Sequence, residues 1–124
     1  MFLLIAEVMR RKLMDGQVCE CLLNSLMEPI VFVDAEHIIR YMNPAACVQL
    51  QKYGGGELVG NSLFDYHNPA SCRTIRMVWA RMQEGLEEEC ISNKDGKYTY
   101  MRAVRDERGE LLGYYERYEK IVPH

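Results

Sequence analysis

The chain has 124 residues, 48% of them apolar and 27% charged, with a net charge of −3. That length supports one packed core and not two. No block of Lys or Arg stands out, so the chain lacks the basic stripe of a nucleic-acid surface, and DNA and RNA are excluded as partners of this chain alone. Five cysteines at irregular spacing fit no disulfide framework and read as reduced thiols of a cytoplasmic protein. The start, Met1-Phe2-Leu3-Leu4-Ile5-Ala6, is broken at once by Glu7 and has no basic leader, so neither a signal peptide nor a membrane span is predicted.

Residues 2–14 read as an amphipathic helix, with Phe2, Ile5, Ala6, Met9 and Leu13 on one face. Asp15-Gly16 breaks it. A second helical run over residues 18–27 carries Val18, Leu22, Leu23 and Leu26. Next comes Pro29-Ile30-Val31-Phe32-Val33-Asp34, an apolar, β-branched run without polar alternation, which predicts a strand buried on both faces. Ala35-Glu36-His37 is a short connection to a second strand, Ile38-Ile39-Arg40-Tyr41-Met42, and the two form a hairpin.

Asn43-Pro44 starts a short helix ending near Gln51. The Asn side chain can accept from a free N–H, and Pro at the first position loses no needed donor. Gly54-Gly55-Gly56 is a connection rather than a phosphate loop, since no Gly-Lys-Ser/Thr follows. Asn68-Pro69 repeats the capping device and opens the longest helix, residues 69–85, with Ile75, Val78, Trp79, Met82 and Leu86 on one face. Gly85 terminates it.

The last third is a meander of strands over residues 88–93, 97–105 and 110–121. Lys94-Asp95-Gly96 and Asp106-Glu107-Arg108-Gly109 are its turns. In the middle strand Tyr98, Tyr100, Arg102 and Val104 share one face, and Thr99, Met101 and Ala103 share the other. The element order predicts an α+β domain with an antiparallel sheet.

The run Pro29-Ile30-Val31-Phe32-Val33-Asp34, then Ile39-Arg40-Tyr41-Met42-Asn43-Pro44-Ala45-Ala46, Glu57-Leu58-Val59-Gly60-Asn61-Ser62-Leu63-Phe64-Asp65 and Val104-Arg105-Asp106-Glu107-Arg108-Gly109-Glu110-Leu111-Leu112-Gly113 resembles a PAS domain, the small sensory module of signalling proteins. The resemblance implies a five-stranded antiparallel sheet in 2-1-5-4-3 order with helices on one face, often enclosing a small-molecule pocket. It also implies N-terminal helices that dimerise, a non-enzymatic role, and an effector or partner protein that receives the signal. On this reading residues 1–27 are an N-terminal helical segment for dimerisation, residues 28–121 the PAS domain and residues 122–124 a tail. Phe2, Ile5, Met9, Leu13 and Leu22 are then the candidate dimer contacts of a bacterial, cytoplasmic homodimer.

Seven side chains are candidates for the pocket: His67, Asn43, Trp79, Met82, Tyr100, Arg102 and Tyr115. Aromatic rings with polar tips suit a ligand that is mostly apolar with a few fixed contacts. Arg102 could pair with a ligand carboxylate, or lie on the outer face against an N-terminal helix. The bland reading of Trp79 and Met82 is core filling.

His67 has two readings. In the first it hydrogen-bonds a backbone group and fastens the loop to the helix. In the second it is an axial haem ligand of a gas or redox sensor. Its Phe-x-x-His-x-Pro-x-Ser setting is similar to a subset of bacterial PAS domains. The haem-binding oxygen sensors of the family carry their histidine further into the helix, where this chain has Ile75, Arg76 and Met77. Flavin photochemistry through a cysteine adduct is excluded, because Gly60-Asn61-Ser62-Leu63-Phe64 lacks the thiol, although flavin without an adduct stays open. Cys19-Glu20-Cys21 lacks the ligand count of a zinc site. No nucleophile–base constellation is present, so no catalytic residue is assigned.

The reading is a sensory domain that binds a small molecule or relays a signal through dimerisation. Its alternatives are a ligand-free interaction module and the haem sensor on His67.

Overall fold

The computed structural model describes residues 15–120. The expected helix over residues 2–14, with Phe2, Ile5, Met9 and Leu13, lies outside the described residues.

Helix α1 spans Gly16–Ser25, and Asp15 caps it by accepting from the Gln17 amide at 2.7 Å. Strands β1 (Val31–Asp34) and β2 (Ile39–Met42) form the expected hairpin. Its turn is built around Asp34. One carboxylate oxygen accepts from the amides of Glu36 and Ile38, and the other receives Arg40 Nε at 2.6 Å. Burial pushes the Asp34 carboxyl up, but Arg40 and the two amides outweigh it and hold the group below the usual carboxylate range. The same turn places His37 at φ 64°, in the left-handed region.

Helix α2 (Pro44–Gln49) and short 3₁₀ turns at Gln51–Tyr53, Gly55–Leu58 and Leu63–Tyr66 lead to helix α3, Pro69–Gln83. Both Asn-Pro devices act as the sequence predicts. Asn43 accepts from Ala46 N and Asn68 from Ser71 N. The loop before α3 also covers the open edge of β2, since Ile39 N donates to Asn61 O and Gly60 N to Ile39 O. At its other end α3 is tied to the sheet. Arg105 Nη2 donates to the carbonyls of Met82 at 2.6 Å and Leu86 at 3.2 Å, at and just beyond the helix end.

Strands β3 (Glu88–Lys94), β4 (Lys97–Arg105) and β5 (Leu111–Lys120) complete a five-stranded antiparallel sheet of order β2-β1-β5-β4-β3. The β3–β4 turn has both Asp95 (φ 53°) and Gly96 (φ 75°) in the left-handed region, the geometry that matches the twist of a two-residue hairpin. At Gly113, in β5 beside β1, a Cβ would run into the carbonyl oxygen of Val33, so only glycine lets the two central strands approach.

The core lies between α3 and one face of this sheet. Val31, Val33, Ile39, Met101 and Tyr114 from the sheet meet Ile75, Val78 and Met82 from α3. The other face is covered in part by Leu23 of α1 and by Leu26 just beyond its end, beside Phe32 and Tyr115. Strand β1 is therefore buried on one face and half-buried on the other, not on both as its apolar run suggests. Val31 and Val33 are buried while Phe32 and Asp34 are half-buried.

Candidate functional site

Period-two alternation divides the seven pocket candidates between the two faces of the sheet. Met101 points to the core, so its neighbours Tyr100 and Arg102 point away from it, and Tyr114 does the same to Tyr115. On that outer face Arg117 lies over the Tyr100 ring and pairs bidentately with Glu88, at 2.6 and 3.0 Å. Arg117 holds the Glu88 carboxyl below its usual range. Arg102 approaches the same carboxylate at 3.9 Å. Tyr100, Arg102 and Tyr115 therefore share no pocket with His67, and the expected single cavity of seven residues is corrected on this point.

Asn43 is buried and its amide is fully used. Its oxygen accepts from Ile30 N and Ala46 N, and its nitrogen donates to Glu28 O and Leu23 O. Those four bonds exhaust the group, so it clamps the end of α1, the start of β1 and the start of α2, with no atom left for a ligand. Met82 is fully buried in the core. Trp79 packs edge-on to His37 and against Tyr114, with ring centroids 5.5 and 5.6 Å away.

His67 sits in the extended residue that links the last 3₁₀ turn to α3. Its Nδ1 is 2.9 Å from the Leu63 carbonyl oxygen, which can only accept, so Nδ1 carries a proton, and in the neutral ring Nε2 is an acceptor. This is the backbone contact that the first reading of His67 predicts. Two clefts meet at this ring. One, about 320 Å³, lies between α3 and the sheet and is lined by Ser71, Thr74, Ile75, Ser92 and Thr99. The other, about 270 Å³, lies under the loops and is lined by Val31, Ile39, Leu58, Leu63 and Tyr66. His67, Glu116 and Tyr118 belong to both linings and form the wall between them.

Glu116 is the residue that sequence reading missed. It is only 8% exposed, on the core face of β5 between Tyr114 and Tyr118. Oε2 accepts from the Tyr118 hydroxyl at 3.2 Å, while Oε1 is buried without a hydrogen-bond partner. Burial drives its carboxyl well above the usual range, and the His67 ring and Tyr118 hydroxyl draw it back only in part. Burial also pushes the Tyr118 hydroxyl up, and the Glu116 charge adds to the shift. The local signal was weak. In Tyr114-Tyr115-Glu116-Arg117-Tyr118 both faces carry tyrosine and both carry a charge, so alternation alone does not say which is inside.

A second polar pair was also passed over as connection. His37 Nδ1 lies 2.8 Å from the Tyr114 hydroxyl, inside a box of Phe64, Trp79 and Tyr114 rings. Burial and the Arg76 charge keep its imidazole below the ordinary range. Among the described residues no group of three or more His, Cys, Asp or Glu side chains is placed to hold a metal ion. No described helix is long and apolar enough to cross a membrane.

The strand order and the helices packed over one face define the PAS class of α+β domain. The chain belongs to the PAS family: the family model described as "PAS fold" matches residues 23–122. PAS domains are sensory and signalling modules and are generally non-catalytic. No curated protein matches the chain. Solved structures do. A C-terminal domain from Streptococcus mutans superposes with a TM-score of 0.71 at 21% identity, covering 87% of this chain and 86% of that one. The PAS domain of a Colwellia psychrerythraea protein gives 0.58 at 18% identity, covering 85% and 95%. The PAS domain of nitrogen regulation protein NR(II) from Vibrio parahaemolyticus gives 0.56 at 20% identity, covering 82% and 96%. At these identities the likeness is one of fold.

Proposed function

We propose that this chain is a PAS sensory domain that takes a small molecule between α3 and the sheet, against Glu116, and relays its presence through α3 and α1. One observation carries the reading: a carboxyl with an unpartnered oxygen stands inside the core, at the wall between two clefts. A position that served packing alone would hold an apolar side chain, because a buried polar atom without a partner costs on the order of 1–3 kcal/mol. The relay has physical handles at both ends. Arg105 links the end of α3 to β4, and Asn43 links the end of α1 to β1 and α2. A ligand shifts such an arrangement only by binding one state better than the other.

Mass spectrometry of small molecules released when the purified chain is denatured tests this directly. A stoichiometric compound, displaced in a Ser71→Leu variant whose side chain fills the cleft, supports the reading. Empty protein whose amide spectrum ignores a fragment library counts against it.

An interaction module is the second reading, favoured by α1. Val18 is 53% exposed and Leu22 49%, one turn apart on α1, an apolar strip that a second copy could cover. Sedimentation of a Val18→Ser, Leu22→Ser double variant tests the dimer, and a mass unchanged from that of a dimeric parent, or a monomeric parent, opposes it. Haem on His67 gains from the free Nε2, yet neither cleft lining carries a lysine or arginine to hold propionates, and Glu116 would face them with like charge. These residues fit haem poorly. A Soret band that disappears in His67→Ala would reverse that judgement.

A further inference from the structure

We infer that the cleft at Glu116 selects a small organic cation, a protonated amine or amidine whose N–H groups bond the Glu116 carboxyl and the Nε2 of His67. The inference rests on the ligand-binding reading above and names the chemistry of the ligand.

The lining combines hydroxyls, which donate or accept as a ligand requires, with one carboxyl. Glu116 is its one acidic group, and Oε1 has no partner. The two oxygens exchange by rotation about a terminal torsion that is broad and two-fold, so a donor from either cleft finds a free acceptor. In its neutral form His67 adds Nε2, because the Leu63 carbonyl holds the ring proton on Nδ1. Thr74 gives its own hydroxyl proton to Ala70 O at 3.2 Å and keeps its lone pairs for the cleft.

His67 is the one basic side chain in either lining; its charge acts on this carboxyl, but Oε1 receives no hydrogen bond from it. Neither lining includes lysine or arginine. Lys97 Nζ sits over the Tyr118 ring, 4.6 Å from its centroid, and is outside both linings. An ammonium supplies N–H donors to the unpartnered oxygen and a charge that draws the carboxyl into its ionised form against the pull of burial. The Tyr66 ring gives a cation further electron-rich surface, while Tyr53 and Tyr118 already carry Lys52 and Lys97 over their rings.

Three probes of matched shape test the inference on the full chain: 2-phenylethylammonium, 2-phenylethanol and 3-phenylpropionate, followed by calorimetry and by amide shifts at His67, Ser71 and Thr99. The ammonium is expected to bind about tenfold or more tighter than the alcohol, the range of a charge-assisted hydrogen bond. Glu116→Gln, isosteric and still able to accept from Tyr118, is expected to remove that preference. Equal binding of alcohol and ammonium, preference for the propionate, or an unaltered preference in Glu116→Gln each overturns the cation inference while leaving a ligand cavity standing. If none of the three probes moves the cleft amides, the ligand-binding reading falls with it. The probe series uses the unaltered chain, so the test holds even where a variant fails to fold.

Discussion

His37 and Tyr114, 77 positions apart in sequence, meet at 2.8 Å and join the β1–β2 turn to the centre of β5. The ring must reach inward from a turn residue with φ 64°, so the Asp34-centred turn and the buried tyrosine specify one another. Replacing Tyr114 by Phe leaves the imidazole nitrogen without its partner in a mostly apolar box. A loss of about 1–2 kcal/mol in urea unfolding is expected. His37→Val should cost more, since a β-branched residue is strained at positive φ. Equal stability of Tyr114→Phe and the parent chain would mean that the pair contributes nothing.

Two buried groups should bracket the pH of greatest stability. The folded pKa of Glu116 lies above its unfolded value, so the folded state holds more protons and stability falls as pH rises from the ordinary carboxylate range through the raised folded value. The groups facing it are His67 on the loop, and Tyr114 and Tyr118 on its own strand. His37 works in the opposite sense. Its folded pKa is depressed, so stability present above the ordinary histidine range is lost as pH falls through the folded value. Chemical unfolding across pH 4–9 (roughly the span of these ordinary ranges) should show Glu116→Gln gaining most at the alkaline end. A pH profile parallel to that of the parent would remove Glu116 as the cause.

Asn43→Ala deletes a helix cap and leaves the amide of Ile30 and the carbonyls of Leu23 and Glu28 short of partners. A cap contributes ~1 kcal/mol and each buried orphan more, so a loss of about 3 kcal/mol is expected. Asn43→Asp should fail to rescue it, because a carboxylate keeps the acceptor and loses both donors. Full rescue by Asp would show that only the cap matters.

Gly113→Ala forces β1 and β5 apart at the Val33 carbonyl. Overpacking of this kind costs about 1–3 kcal/mol, and here the obstacle is backbone, so the upper end is expected. The same change at Gly109, where a Cβ meets nothing but φ is 82°, should cost about 1 kcal/mol through conformation alone. Thermal melts of the two variants separate contact from conformation.

The sequence by itself determined what rests on local chemistry. Asn43-Pro44 and Asn68-Pro69 start their helices where a capping side chain followed by proline must, and Asp95-Gly96 turns where residues tolerant of positive φ stand together. The alternation of β4 was legible too: Thr99, Met101 and Ala103 on one face, Tyr98, Tyr100, Arg102 and Val104 on the other. Which of those faces is inside was decided only when the sheet closed against α3. That decision took Tyr100, Arg102 and Tyr115 away from His67 and brought Glu116 to it. It also turned His37 from a link in a hairpin into the partner of Tyr114. The reason is physical: caps and turns are settled by bonds between near neighbours, whereas the burial of a single carboxyl depends on strands and helices far apart in the chain.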